Sequence, residues 1–239
     1  MALKISRSRF ELFLQCPRCF WLLINKGISR PSPAPYTINS AIDTLLKEQF
    51  DFYRSKGIAH PLMVRFGVDA LPFKDSRLED WRNSFIGIQC YDAVSDILLY
   101  GAVDDLWINK QKELIVVDYK ATGANEHKVY DEYRRQMEIY KWLLEGNSLS
   151  VSPTGYLLFA KVNKKQKFEN GVLNFDLILE PVKLKSDWIG QALFKMRKVL
   201  TAPLPASTEE CEYCSYVNKC SDKINSPPIQ KGRCLSQTP

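Results

Sequence analysis

Histidine is almost missing from this chain: 239 residues carry two, His60 and His127. His60 precedes Pro61, which favours extended backbone. His127 is read as opening a helix on the surface. No apolar run approaches the roughly 18 residues that span a bilayer, so no membrane partner is expected. There is no G-x-S-x-G elbow, no P-loop and no dinucleotide fingerprint. The chain therefore shows no ATP motor of its own. It has no internal repeat and no low-complexity tract. The first residues, "MALKISRSRFELFLQ", lack a long apolar stretch and a small-residue cleavage site, so no secretory signal is read.

What is present is ordinary in bulk, with 45% hydrophobic and 25% charged residues. The net charge of +6 favours an anionic partner, though weakly. Cysteine is the exception. There are seven, an odd number, and without a secretory signal this predicts a reducing, cytoplasmic setting and metal ligation rather than disulfides. Five of them fall in "CPRC" (Cys16, Cys19) and "CEYCSYVNKC" (Cys211, Cys214, Cys220), at opposite ends of the chain. On spacing alone, two C-x2-C knuckles, Cys16 with Cys19 and Cys211 with Cys214, suit a zinc ion. Cys90 reads as a core thiol in a strand and Cys234 as a free thiol in the tail.

The order of elements predicts an α/β fold with a central mixed sheet flanked by helices. Ser8 and Glu11 form a capping box that would start a first helix. Pro17 opens a second and Gly27 closes it, before the stiff "RPSPAPY" linker. A helix is predicted over 39–55, with Ile42, Leu45, Leu46, Phe50 and Tyr53 at helical spacing, and a short one over 78–82. Strands are read from Phe85, over "ILLYGAVDDLWIN", over "ELIVVDYKA", over "TGYLLFAKV" and over "GVLNFDLILEPV". Leu173, Phe175, Leu177 and Leu179 alternate in the last of these and predict one buried face. Helices over 126–145 and 186–200 complete the set.

The densest chemistry lies in "GAVDDLWINKQKELIVVDYKATG". Residues two apart on a strand share a face, so Asp118 and Lys120 point together and Tyr119 points away. A hairpin through 109–112 brings Asp104 or Asp105 near residues 117 and 118. Two carboxylates and an ammonium on one face form a hard-oxygen site for Mg²⁺ or Mn²⁺. The alternative is a salt-bridged edge strand. "LIVV" just before Asp118 argues against it, because a strand buried on both faces gives a carboxylate reason to seek a partner or a metal. Gln136 and Tyr140, four apart on the next helix, share a face that would pack beside Lys120.

"GAVD", "VVDYK" and "QMEIY" together resemble the metal-binding Asp, the D-x-K and the Q-x-x-x-Y motifs of RecB-like nucleases in the PD-(D/E)XK superfamily. The cysteines resemble those of the iron–sulfur subgroup, which includes the AddB nuclease domain and the small nucleases of CRISPR adaptation. The resemblance spans residues 16–220. It implies a restriction-endonuclease-like fold whose termini are joined by a four-iron, four-sulfur cluster on Cys16, Cys211, Cys214 and Cys220, leaving Cys19 free. It implies that Asp104, Asp118 and the Tyr119 carbonyl hold Mg²⁺ or Mn²⁺, that Lys120 orients the attacking water, and that Gln136 and Tyr140 support it. The family's early-helix metal-binding His is absent. Asp43 stands in its place, either as a third metal-binding carboxylate or as a first-turn acid favoured by the helix dipole.

The reading is a single nuclease domain over 1–223 with a polar tail over 224–239. It would hydrolyse DNA, with single-stranded ends as substrate, in repair, recombination or defence. A helicase or another DNA-processing protein is the expected partner. Two rivals are a nucleic-acid-binding or scaffold protein with a decayed site, and a zinc-stabilised interaction module. The Asp43 departure favours a non-enzyme, and the intact D-x-K and Q-x-x-x-Y favour the enzyme.

Overall fold

The computed structural model describes residues 2–32 and 37–224. The prolines at 33 and 35, the polar tail beyond 224 and Cys234 lie outside them. The fold is mixed α/β, with two mixed sheets flanked by helices. A small sheet is ordered β1 (Leu3–Ser6), β4 (Ile97–Gly101), β3 (Ile88–Asp92). A larger one is ordered β2 (Ala70–Pro72), β5 (Asp105–Asn109), β6 (Leu114–Thr122), β7 (Thr154–Val162), β8 (Phe175–Lys183). In the large sheet β6 and β7 are parallel, and the other neighbours are antiparallel.

The expected run from Ile97 to Asn109 is two strands in two sheets. β4 ends at Gly101, and β5 starts four residues later in the large sheet. Packing explains the break. A Cβ at Gly101 would lie 3.0 Å from Tyr140 Cε1 and 3.1 Å from Arg7 Cβ, so helices press on the chain where it changes sheet. β1 was too short to show a periodicity. Its presence moves the first helix, α1 (Arg7–Gln15), so that Ser6 rather than Ser8 is the N-cap and accepts from the Arg9 amide at 3.3 Å. Glu11 then pairs with Arg135 instead of closing a capping box. Pro17 does open α2 (Pro17–Lys26), and Gly27 closes it at φ 69° in the left-handed region that glycine enters without strain.

α3 (Thr37–Lys56) buries Leu46 and Phe50, while Leu45 is exposed. His60 is extended, as a residue before proline should be, and it is buried. It caps α4 (Pro61–Arg65) through Nδ1, 3.1 Å from the Leu62 amide, and stacks on Phe50. α5 (Leu78–Arg82) sits where it was predicted. α6 (Asp131–Gly146) begins five residues after Glu126, with Asp131 and Glu132 in its first turn, where the helix dipole favours acids. His127 therefore precedes the helix and meets Glu180 Oε1 at 2.7 Å. In β8 the predicted buried alternation holds only at mid-strand. Leu179 is buried, Phe175 and Leu177 are half-buried, and Leu173 lies exposed before the strand. α7 (Ile189–Thr201) and α8 (Glu212–Ile224) end the described chain.

β6 divides the core. Leu114 and Val116 join a cluster with Met137, Ile139 and Tyr140 of α6 and with Phe10 of α1. Ile115, Val117 and Tyr119 join a second cluster with Phe50 of α3 and Trp107. The strand is thus covered on both faces. Gly155 of β7 packs closely against β6 and α6: a Cβ there would fall 2.7 Å from both Met137 Cε and the Val116 carbonyl oxygen. Because backbone cannot yield as a side chain can, Gly155→Ala is expected to cost about 1–3 kcal/mol by overpacking. A shifted midpoint at unchanged slope in urea denaturation would show it.

Candidate active site and cysteine centre

The β5–β6 hairpin sets Asp105 opposite Val117. Asp104 therefore lies just beyond the paired region, and its Oδ2 accepts the Tyr119 amide at 3.0 Å. N–H and C=O of one strand residue leave on the same side, so the Tyr119 carbonyl also faces this edge. The two consecutive acids have different fates. Asp105 is fully buried; its Oδ1 meets the guanidinium groups of Arg54 and Arg82, and its Oδ2 accepts the Tyr119 hydroxyl at 2.7 Å. Asp51 pairs with both arginines from the outer side. The Asp105 charge is spent inside the fold. Asp104 is the one turned toward Asp118.

Asp118 is completely buried on the α6 side of β6. Its Oδ1 accepts from Gln136 Nε2 at 2.8 Å, and Lys120 Nζ lies 2.5 Å from Oδ2. Among the described residues no donor makes a well-angled hydrogen bond to that Oδ2. Burial, and then the charge of Asp104, push the Asp118 carboxyl up to about 7 despite Lys120. Lys120 also reaches Gln136 Oε1 at 3.4 Å and sits 4.7 Å from the Tyr133 ring centroid. Gln136 Nε2 is 3.0 Å from the Tyr140 hydroxyl oxygen. Asp118, Lys120, Gln136 and Tyr140 therefore form one connected group.

Asp43 approaches from α3, half-buried. Burial and then Asp104 raise its pKa. Between them stands Lys47, 2.8 Å from Asp43 Oδ2 and 3.5 Å from Asp104 Oδ1. The sequence reading missed Lys47. The four-residue step from Asp43 to Lys47 on a helix was a readable signal for the first contact. Nothing local pointed to the second, between Lys47 and Asp104. Three carboxylates and two ammonium groups thus converge from α3, β6 and the start of β5. The buried Asp118 and the half-buried Asp43, both raised in part by the charge of Asp104, make with it a donor set that suits a hard divalent cation.

In a separate group, four sulfurs meet. Cys16 caps the start of α2 and Cys19 lies in its first turn; Cys211 precedes α8 and Cys214 lies in its first turn. All four are buried, and their Sγ atoms lie within 4.8 Å of one another, so they could hold a metal ion. Cys220 lies farther along α8, outside the group, in contact with Tyr216. Burial opposes ionisation of Cys16, but hydrogen bonds from the backbone around Cys19 and Thr208 bring it down to about 6. Burial and the neighbouring thiols drive Cys214 far up instead. Four thiols this close do not all ionise without a cation among them.

This layout defines a class: an α/β nuclease fold in which a carboxylate and a lysine two apart on a buried strand meet an acid at the head of its neighbour. The chain belongs to the PD-(D/E)XK nuclease superfamily, whose profile matches residues 59–221. The matched span contains Asp104, Asp118, Lys120, Gln136 and Tyr140; Asp43, Cys16 and Cys19 lie before it. Members of this superfamily act on nucleic acids and generally use divalent metals. Among solved structures, one described as "Crystal structure of SSO0001" is similar at a TM-score of 0.45 and 15% identity, covering 92% of this chain and 86% of that one. No curated protein matches the sequence. Among the described residues no helix is long and apolar enough to cross a membrane.

The two neighbouring acids should respond oppositely to neutralisation. Asp105→Asn leaves Arg54 and Arg82 with only the half-exposed Asp51 as counter-charge and is expected to cost about 3–5 kcal/mol. Asp104→Asn removes a charge that repels Asp43 and Asp118, so metal-free stability should stay within about 0.5 kcal/mol or rise. Chemical denaturation of both variants in chelator measures the contrast.

Proposed function

We propose that this protein is a Mg²⁺- or Mn²⁺-dependent deoxyribonuclease that hydrolyses phosphodiester bonds, with single-stranded DNA ends as its substrate, in repair, recombination or defence. The observation that carries this is the contact of Asp118, Lys120 and Gln136 on one buried face with Asp104 turned toward them. Asp104 and Asp118 would hold the divalent ion, with Asp43 and the Tyr119 carbonyl completing its oxygen ligands. When bound, the ion supplies Lewis-acid polarisation of the phosphate and lowers the pKa of water.

The chain's own groups account for the rest. Lys120 orients the water that attacks phosphorus and offsets the charge gathering on the phosphoryl oxygens as the P–O bond to the leaving oxygen breaks. Gln136, gripped between Asp118 and Tyr140, fixes where the Lys120 ammonium points. Tyr140 holds the Gln136 amide from the far side. The net charge of +6 suits a polyanionic substrate. The sequence carries no P-loop, so a helicase or another DNA-processing partner is the proposed source of unwound strand.

One observation favours a second reading, a nucleic-acid-binding protein with a decayed site. Lys47 lies between Asp43 and Asp104 and already supplies them with a positive charge. Labelled single- and double-stranded DNA incubated with pure protein and Mn²⁺, with and without chelator, separates the two. Cleavage should be metal-dependent, and Asp118→Ala or Lys120→Ala should lower it at least roughly 100-fold. DNA binding should persist in both variants, because phosphate contacts are spread over many basic residues. Binding without cleavage by the native protein would establish the second reading, and wild-type cleavage by Lys120→Ala would sink the first.

A further inference from the structure

The resemblance to iron–sulfur nucleases implies a cubane on Cys16, Cys211, Cys214 and Cys220, and the residues in place do not fit it. Cys220 is six residues beyond Cys214 on the continuous helix α8. At 1.5 Å and about 100° per residue, the two side chains lie roughly 9 Å apart along the axis and point about 120° away from each other. Cys19 occupies the fourth place instead, with its Sγ 3.6 Å from that of Cys211 and 3.5 Å from that of Cys214. Cys16 and Cys214 are 3.9 Å apart.

These spacings discriminate between the centres. Four thiolates at about 2.3 Å from one tetrahedral ion have sulfur–sulfur edges of about 3.8 Å. In a four-iron cluster each thiolate binds a different iron, which spreads the sulfurs to on the order of 6 Å. They also rule out disulfides, whose sulfurs are about 2.05 Å apart; all four thiols are free.

The two C-x2-C segments repeat one local design. In each, the first Cys precedes a helix and its carbonyl accepts the amide four residues on, from Phe20 at 3.1 Å and from Ser215 at 2.9 Å. In each, the second Cys falls in the first turn, where the helix dipole favours a thiolate. Four thiolates around a divalent ion carry two net negative charges. Arg30 answers them, its guanidinium 3.4 Å from Cys211 Sγ and anchored at 2.9 Å to Gln15 Oε1. All four ligands are buried, which is the closed form of a structural site.

We infer that Cys16, Cys19, Cys211 and Cys214 bind a single Zn²⁺ as a structural clasp between α2 and α8, and that Cys220 is not a ligand. The inference is independent of the nuclease reading and stands or falls without any cleavage assay. Metal and acid-labile sulfide should be quantified in the anaerobically purified full-length protein, its Cys19→Ser and Cys220→Ser variants, and by X-ray absorption at the bound metal. The expected result is colourless protein with about one zinc per chain and four sulfurs at about 2.3 Å. Cys220→Ser should keep the metal and the melting temperature, and Cys19→Ser should lose both. Cys220→Ser alters a half-buried helix position, so it remains informative even where Cys19→Ser does not fold. Brown protein with roughly four irons and matching sulfide, bleached by Cys220→Ser, would overturn the assignment.

Discussion

The strand over 114–122 is buried on both faces from Leu114 to Tyr119, and that condition organises the molecule. Alternation sends Leu114, Val116, Asp118 and Lys120 toward α6, and Ile115, Val117 and Tyr119 toward α3. The apolar members anchor two separate core clusters. The polar members, carried in the same register, reach interior surroundings that a surface strand would not give them. Asp118 is fully buried because the residues before it must be. Its raised pKa and its grip on Gln136 and Lys120 follow from that position rather than from any local signal.

The same strand divides the labour of the two acids that face it. Tyr119 contributes to both solutions: its hydroxyl holds Asp105 on the α3 side, and its amide holds Asp104 at the strand edge. Arg54 and Arg82 neutralise Asp105 so fully that it serves the fold alone. Asp104 keeps an oxygen turned toward Lys47 and its charge turned toward Asp43 and Asp118. Buried charge is tolerated in the first case because it is paired. In the second it stays mutually repulsive, and that is the condition under which a divalent cation has most to gain by entering.

The cysteine group is a separate cluster between α2 and α8. Trp21 Nε1 donates to the Ala202 carbonyl at 3.0 Å, Asn25 to the Leu200 carbonyl at 3.1 Å, and the Thr208 hydroxyl to the Gln15 carbonyl at 2.9 Å. These bonds lead the segment after α7 back along α1 and α2. Closing a loop of nearly two hundred residues costs chain entropy that grows only slowly with length. Four metal–thiolate bonds, added to these contacts, would be ample to hold it.

Much of this was legible in the sequence. Pro17, Gly27, the helix over 78–82, the strand "TGYLLFAKV" and the hairpin through 109–112 were fixed by local chemistry: proline's missing amide, glycine's left-handed φ, and apolar alternation. The shared face of Asp118 and Lys120 followed from a period of two, and that of Gln136 and Tyr140 from one helical turn. Motif order was enough to suggest the nuclease superfamily. Tertiary structure decided what local patterns leave degenerate. It chose Asp104 over Asp105 for the open edge, because Arg54 and Arg82 arrive from distant helices. It brought Lys47 to Asp104, broke one apparent strand at Gly101 where helices crowd the chain, and set Cys19 rather than Cys220 beside Cys211 and Cys214. Spacing along a chain determines which residues share a face. Which faces meet depends on packing between elements far apart in sequence, and for the acids and the cysteines that packing assigned the partners.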